Sequence, residues 1–346
     1  MTRRSRLLAP LVLAVLVAAC GAPGASTPPG ASATPVASTP PGASATPVAL
    51  TVGLGYIPSV QFAQFYLADQ SGAYDAAGLD VTLQNKIDPE LITLLGQGAV
   101  DIGSGDGTSV IPAVSQGIPV VYTSTIYGSF PSVVVAAADS GIASAGDLRG
   151  KRIGIPGRYG SSWIMLQALL QAGGLTLDDV EIVLYPDFGQ LAALQQGQVD
   201  AATGFANNEP IQLEQAGIEP VVLTVDEEVP LPGPGLVTGV ATLEAKEDAL
   251  RRFTAVTLDA MQQIVDDPQA GLDATFQAVP DLAADPELQR AILDATIATW
   301  ANERTGAPLG SIDRDGWQQS LDFMTGLDLV PNPVTVDQLV DESLLP

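Results

Sequence analysis

Between Leu50 and Leu223 the chain alternates short apolar, β-prone runs with amphipathic stretches of helical length, and this rhythm restricts the fold more than any other feature. Leu50-Thr51-Val52-Gly53-Leu54-Gly55 reads as a strand and Ser59 to Gly72 as a helix. Strands at 79–83, 100–104 and 119–126 follow, with helices at 90–97 and 108–116 between them. After Asp147-Leu148-Arg149-Gly150-Lys151 the pattern restarts, with strands at 152–155, 180–184, 201–204 and 220–223 and helices at 161–172, 190–197 and 209–216. Strands separated by helices form mainly parallel sheets, because a parallel neighbour is reached only through a long crossover. The chain is therefore α/β, and the restart implies a second, shorter α/β unit. Pro230-Leu231-Pro232-Gly233-Pro234-Gly235 reads as a rigid crossing and 236–242 as a further strand. From Ala245 onward helices dominate, with caps or breaks at Pro268, Pro280, Pro286 and Pro308.

The first nineteen residues have a different character. Arg3, Arg4 and Arg6 precede an apolar run from Leu7 to Ala19, too short for a membrane span and shaped like a secretory signal. The junction Val17-Ala18-Ala19-Cys20-Gly21 resembles a bacterial lipobox, which implies that Cys20 is lipidated and becomes the first residue of the mature chain. Acyl chains there, palmitate among them, would anchor the protein to a membrane through lipid alone. An ordinary signal would leave Cys20, the chain's one cysteine, as a free thiol on an exported protein. Residues 20–49 are almost wholly Ala, Pro, Ser, Thr, Gly and Val and contain STPPGASATPVA twice in tandem. Such a composition cannot bury a core and is read as a disordered tether.

Charge and missing residue types exclude several functions. The formal charge of −25 becomes −28 once Arg3, Arg4 and Arg6 leave with the signal, so nucleic acid is not expected as a partner. The sequence contains no histidine, which removes Ser-His-Asp and Cys-His catalysis and, with Cys20 acylated, the usual ligands of Zn, Cu and Fe. No cofactor and no metal is expected, and nothing points beyond a monomer.

Several segments together resemble the type 2 periplasmic binding proteins that serve ABC importers, in the branch for thiamine precursors, riboflavin and alkylsulfonates. They are Gly55-Tyr56-Ile57-Pro58 with Phe65-Tyr66-Leu67-Ala68, Ala77-Gly78-Leu79-Asp80-Val81, Gly98-Ala99-Val100-Asp101-Ile102-Gly103, Asp147 to Gly154, and Gly197-Gln198-Val199-Asp200-Ala201. Gln61 to Tyr66, Ser104-Gly105-Asp106 and Ala206-Asn207-Asn208-Glu209-Pro210 look most like the riboflavin-binding members. The resemblance implies lobe 1 from residues 50–137 plus 233–346, lobe 2 from 138–232, and a ligand cleft between them. It implies a binding protein and not an enzyme, placed outside the cytoplasm and working with a permease and an ATPase. Its expected ligand is riboflavin or a related flavin, with a pyrimidine thiamine precursor or an alkylsulfonate as alternatives. Eukaryotic relatives of the fold make the thiamine pyrimidine from pyridoxal phosphate and a histidine. The absence of histidine here counts against that reading.

Ligands of open α/β sheets bind beyond the carboxyl ends of strands. Tyr56, Phe62, Tyr127, Phe130, Tyr159, Trp163, Tyr185, Phe188 and Phe205 fall at or just after expected strand ends, although aromatics make up only 5% of the chain. They can stack a flat heterocycle, although Phe62, Phe65, Trp163 and Phe188 can equally be core. Gly157 to Ser162 opens a helix, so Ser161 can meet a ligand oxygen or only cap. Arg158 offers a counter-charge to an anion or pairs with a surface carboxylate. Asp106 precedes a helix and can bond ring or ribityl donors or serve as its cap. Asn207 and Asn208 offer amides that match an imide edge, one of them capping the helix that begins near Pro210. The candidate ligand set is therefore Tyr56, Gln61, Phe62, Asp106, Tyr127, Arg158, Tyr159, Ser161, Trp163, Tyr185, Asn207 and Asn208.

Overall fold

The computed structural model describes residues 46–87, 89–225, 231–301 and 305–346. The signal segment 1–19, Cys20, the tether to residue 45 and the crossing residue Pro230 lie outside the described residues. The first sheet begins with β1 (Val48–Gly53), followed by α1 (Ala63–Gln70) and α2 (Ala73–Ala76). Next come β2 (Leu79–Gln84), α3 (Leu91–Gly96), β3 (Ile102–Gly105), α4 (Gly107–Ser115) and β4 (Val120–Thr125). The second sheet holds β5 (Ser132–Ala137), β6 (Arg152–Ile155), β7 (Glu181–Leu184), β8 (Ala201–Phe205) and β9 (Pro220–Thr224). Its helices are α5 (Gly160–Ala172), α6 (Gln190–Gln195) and α7 (Glu209–Gln215). The chain then returns to the first sheet as β10 (Gly235–Gly239).

Strand order is β2-β1-β3-β10-β4 in one sheet and β7-β6-β8-β5-β9 in the other. Within each, β1 and β6 are parallel to both neighbours, while β10 and β5 run antiparallel to theirs. The antiparallel strand of each sheet is the one that has just crossed from the other lobe.

This corrects the expected lobe boundary at 137. Ser132-Val133-Val134-Val135-Ala136-Ala137 pairs with β8 and β9, so residues 132–137 belong to the second lobe and the first crossing lies at 126–131, not near 136–138. A run of consecutive valines buried on both faces fits only the interior of a sheet. The two crossings run side by side: Ile126 N and Tyr127 N donate to Pro234 O at 3.1 and 2.8 Å. Gly233 is required there, since a Cβ would lie 2.4 Å from Tyr127 O.

The C-terminal helices complete the first lobe. These are α8 (Val240–Asp266), α9 (Pro268–Ala278), α10 (Pro286–Trp300), α11 (Arg314–Gly326) and α12 (Val336–Leu339). On one face Phe253 stacks on Phe65 and Tyr74, with centroids 6.2 and 5.0 Å apart, which makes Phe65 core. On the other, Trp317 meets Tyr122 edge-on at 4.8 Å. The second lobe has its own two cores, around Met165 and Leu166 and around Val135 and Leu213. Each sheet is thus covered on both faces, as the alternation of elements requires.

Candidate functional site

The carboxyl ends of β1, β3, β6, β7 and β8 converge on a cavity of about 850 Å³ between the lobes. That volume lies in the range of small-molecule sites. Its aromatic wall is Tyr56 and Phe62 after β1, Tyr127 at the first crossing, Tyr159 and Trp163 at the start of α5, Phe188 after β7 and Phe205 at the end of β8. Tyr56 and Phe188 come from opposite lobes and meet edge-to-face at 4.9 Å. Phe188 takes a left-handed backbone, φ +60°, a costly conformation for an aromatic residue and one that clusters at ligand-clamping positions. Arg158 lies over the Trp163 ring at 5.4 Å and is exposed.

The polar lining is acceptor-rich. Asp106 is 7% exposed, and its Oδ1 accepts from Thr108 Oγ1 at 2.6 Å and Ser109 N at 2.9 Å, capping α4. Burial raises the Asp106 carboxyl above its ordinary range, while the hydroxyls of Thr108, Ser109 and Ser161 and the Ser109 N–H pull it back. Glu209 is the first residue of α7, its side chain folded under Gly204 so tightly that a Cβ there would lie 2.5 Å from Glu209 Cγ. Phe205 N donates to Glu209 Oε2 at 2.6 Å. Burial pushes the Glu209 carboxyl up to about 7, against the Phe205 and Glu209 N–H groups and the Asn208 amide. The Tyr56 phenol is raised first by burial and then by the Glu209 charge. Gln190 is 2% exposed and donates from Nε2 to Thr203 O, while its buried Oε1 has no hydrogen-bond partner among the described residues.

Ten of the twelve sequence candidates line this cavity: Tyr56, Gln61, Phe62, Asp106, Tyr127, Arg158, Tyr159, Ser161, Trp163 and Asn208. Two do not. Tyr185 packs against the core that holds Leu191 and Leu213, with its ring edge beside Gly154. Asn207 turns away from the cavity and joins the lobes, donating from Nδ2 to Gln61 Oε1 at 3.1 Å and to Thr296 Oγ1 at 2.8 Å, with Tyr127 Oη at 3.5 Å. The capping assignments also change. The N-cap of α5 is Tyr159, so Ser161 sits in the first turn, and Asn208 at the N-cap of α7 makes no capping bond but accepts from Gln212 Nε2. Sequence reasoning missed Gln190, Ser109 and the segment carrying Asp328, Leu329 and Pro331, whose place in the lining is set wholly by tertiary packing.

Two α/β lobes joined by two crossings, with a deep aromatic cavity at the strand ends between them, define the periplasmic-binding-protein class of solute-binding proteins. The alkanesulfonate-binding protein SsuA of Xanthomonas axonopodis pv. citri, solved bound to MOPS, shares this fold with a TM-score of 0.67 and 20% identity, over 86% of this chain and 99% of that one. A family model described as NMT1/THI5 like matches residues 59–271, and the chain belongs to that family. It is 33% identical to the riboflavin-binding protein RibY of Chloroflexus aurantiacus, over 97% of this chain and 96% of the relative. It is 27% identical to the formylaminopyrimidine-binding protein of Halalkalibacterium halodurans, over 83% of this chain and 87% of that protein.

Proposed function

We propose that the chain is the lipid-anchored, extracytoplasmic solute-binding subunit of an ABC importer and that it captures riboflavin or a related flavin. The observation that carries the ligand is the cavity of about 850 Å³ whose walls are seven aromatic rings from both lobes. A flat, fused heterocycle gains from stacking on such rings and from offset and edge contacts. The near full-length likeness to a riboflavin-binding protein supports the same ligand. A pyrimidine thiamine precursor is the second reading, favoured by the buried acceptors Asp106 and Glu209, which suit an exocyclic amine. Reaction chemistry is not proposed, because the sequence holds no histidine and the polar lining is built for hydrogen bonding to a ligand.

Titrating the purified chain into riboflavin and following flavin fluorescence tests the assignment. Stoichiometric quenching is expected, and Tyr56→Ala or Tyr159→Ala should weaken it by about 1–3 kcal/mol, the worth of a base stacked on an aromatic ring. Absence of quenching, together with heat of binding from a pyrimidine precursor, would transfer the assignment to the second reading. Lipidation at Cys20 is read separately, by incorporation of labelled palmitate that Cys20→Ser abolishes.

A further inference from the structure

We propose that the cleft admits uncharged, hydrogen-bond-donating heterocycles and turns away their phosphorylated or sulfonated counterparts, because the carboxyls of Asp106 and Glu209 line it deep in the protein while the one described cation of the lining, Arg158, is exposed and lies on the Trp163 ring. The inference rests on the solute-binding reading above and deepens it. Among the described residues lining the cavity, Asp106, Glu209 and Asp328 are acidic, and Arg158 is the one lysine or arginine. Arg158 is exposed and lies on the Trp163 ring, whereas Asp106 and Glu209 are each 7% exposed. Buried charges in proteins are paired or hydrogen-bonded, since transfer out of water is otherwise costly. Here the donors within the protein are a few hydroxyls, amides and backbone N–H groups.

A ligand that brings N–H and O–H groups meets the two lining carboxyls with donors, which suits acceptors that the protein itself serves with few.

A buried carboxyl stands beside the feature that would attract an anion. The start of α5 lacks a side-chain cap, and a helix N-terminus is an anion site. Asp106 of the opposite lobe, however, approaches its Ser161 hydroxyl closely enough to be stabilised by it. A phosphate or sulfonate placed there would meet a buried carboxylate across a few ångströms of low-dielectric interior.

The test compares charged and uncharged partners of the same ring. The purified chain is titrated calorimetrically with riboflavin, flavin mononucleotide, 4-amino-5-hydroxymethyl-2-methylpyrimidine, the phosphate ester of that pyrimidine, and MOPS. The uncharged member of a pair should bind at least about 100-fold more tightly than its phosphate, and Asp106→Asn and Glu209→Gln should each narrow the ratio by about tenfold, a step of about 1.4 kcal/mol. Asparagine keeps the helix cap and glutamine the shape, so both variants are expected to fold. Equal or tighter binding of the phosphates or of MOPS overturns the proposal, as does a ratio unmoved by either substitution. If neither flavin binds and the free pyrimidine outbinds its phosphate, the flavin assignment fails while the charge selection stands.

Discussion

Glu209 shows how one side chain couples the ligand site to stability. In the folded chain its carboxyl is pushed up to about 7 from an ordinary 4.5, chiefly by burial. A proton held more tightly in the folded than in the unfolded state favours folding fully below pH 4.5, and that contribution is lost as the pH rises through 7. The ionised group then sits under Gly204 among Phe205 N, the Asn208 amide and the Tyr56 phenol, with no cation named beside it among the described residues. Glutamine in its place carries no charge to desolvate. Thermal unfolding of the ligand-free chain should therefore show Glu209→Gln gaining on the wild type between about pH 5 and pH 8, by up to roughly 3 kcal/mol. Parallel pH profiles for the two proteins would remove the buried charge from the account. Asp106, whose carboxyl burial also raises, contributes in the same direction and remains in both proteins.

At the level of elements, the lobes are joined by contacts that include Asn207 after β8, Gln61 ahead of α1 and Thr296 on α10. Asn207 is 1% exposed, and its removal leaves Gln61 Oε1 and Thr296 Oγ1 without its amide donor at the contact between the lobes. Asn207→Ala should therefore lower ligand affinity by about 1–3 kcal/mol without touching the ligand. Undiminished affinity would show that Asn207 is not part of the closure. How far such features can be read beforehand depends on the range over which they are determined. Strand ends and the residues just after them were legible, because a parallel α/β sheet places its ligands there whatever the details. Asn207 and Asn208 were not separable, since one residue in a tight turn decides between cavity and lobe contact, and Tyr185 failed for the same local reason. β5 is hard to read because residues 133–137 form an unbroken apolar run, without the alternation that marks a half-buried strand. Asp328 and Leu329 reach the cavity from the far end of the chain, a placement that only the docking of α11 onto α4 and β4 determines.

The whole molecule is described with its lobes in contact. Tyr56 meets Phe188, Asp106 approaches Ser161, Asn207 holds Gln61, and Trp163 packs against a core of each lobe. Apolar contact joins the lobes as well: Ile164 of α5 is buried in one core of the first lobe, and Ile211 of α7 packs against the other. A ligand touching both lobes favours the arrangement in which they meet by its differential affinity for it. The mechanical path is also present. The crossings at 126–131 and 231–234 are two adjacent segments tied by the bonds from Ile126 and Tyr127 to Pro234, a paired connection about which rigid lobes can rotate. Small-angle scattering of the chain should accordingly give a smaller radius of gyration with saturating ligand than without, and Asn207→Ala should need more ligand to reach the compact form. The same radius in both conditions would mean that the contacts between the lobes are permanent. Ligand would then have to enter past Arg158 and Tyr159, the exposed residues of the lining at the start of α5, by side-chain motion alone.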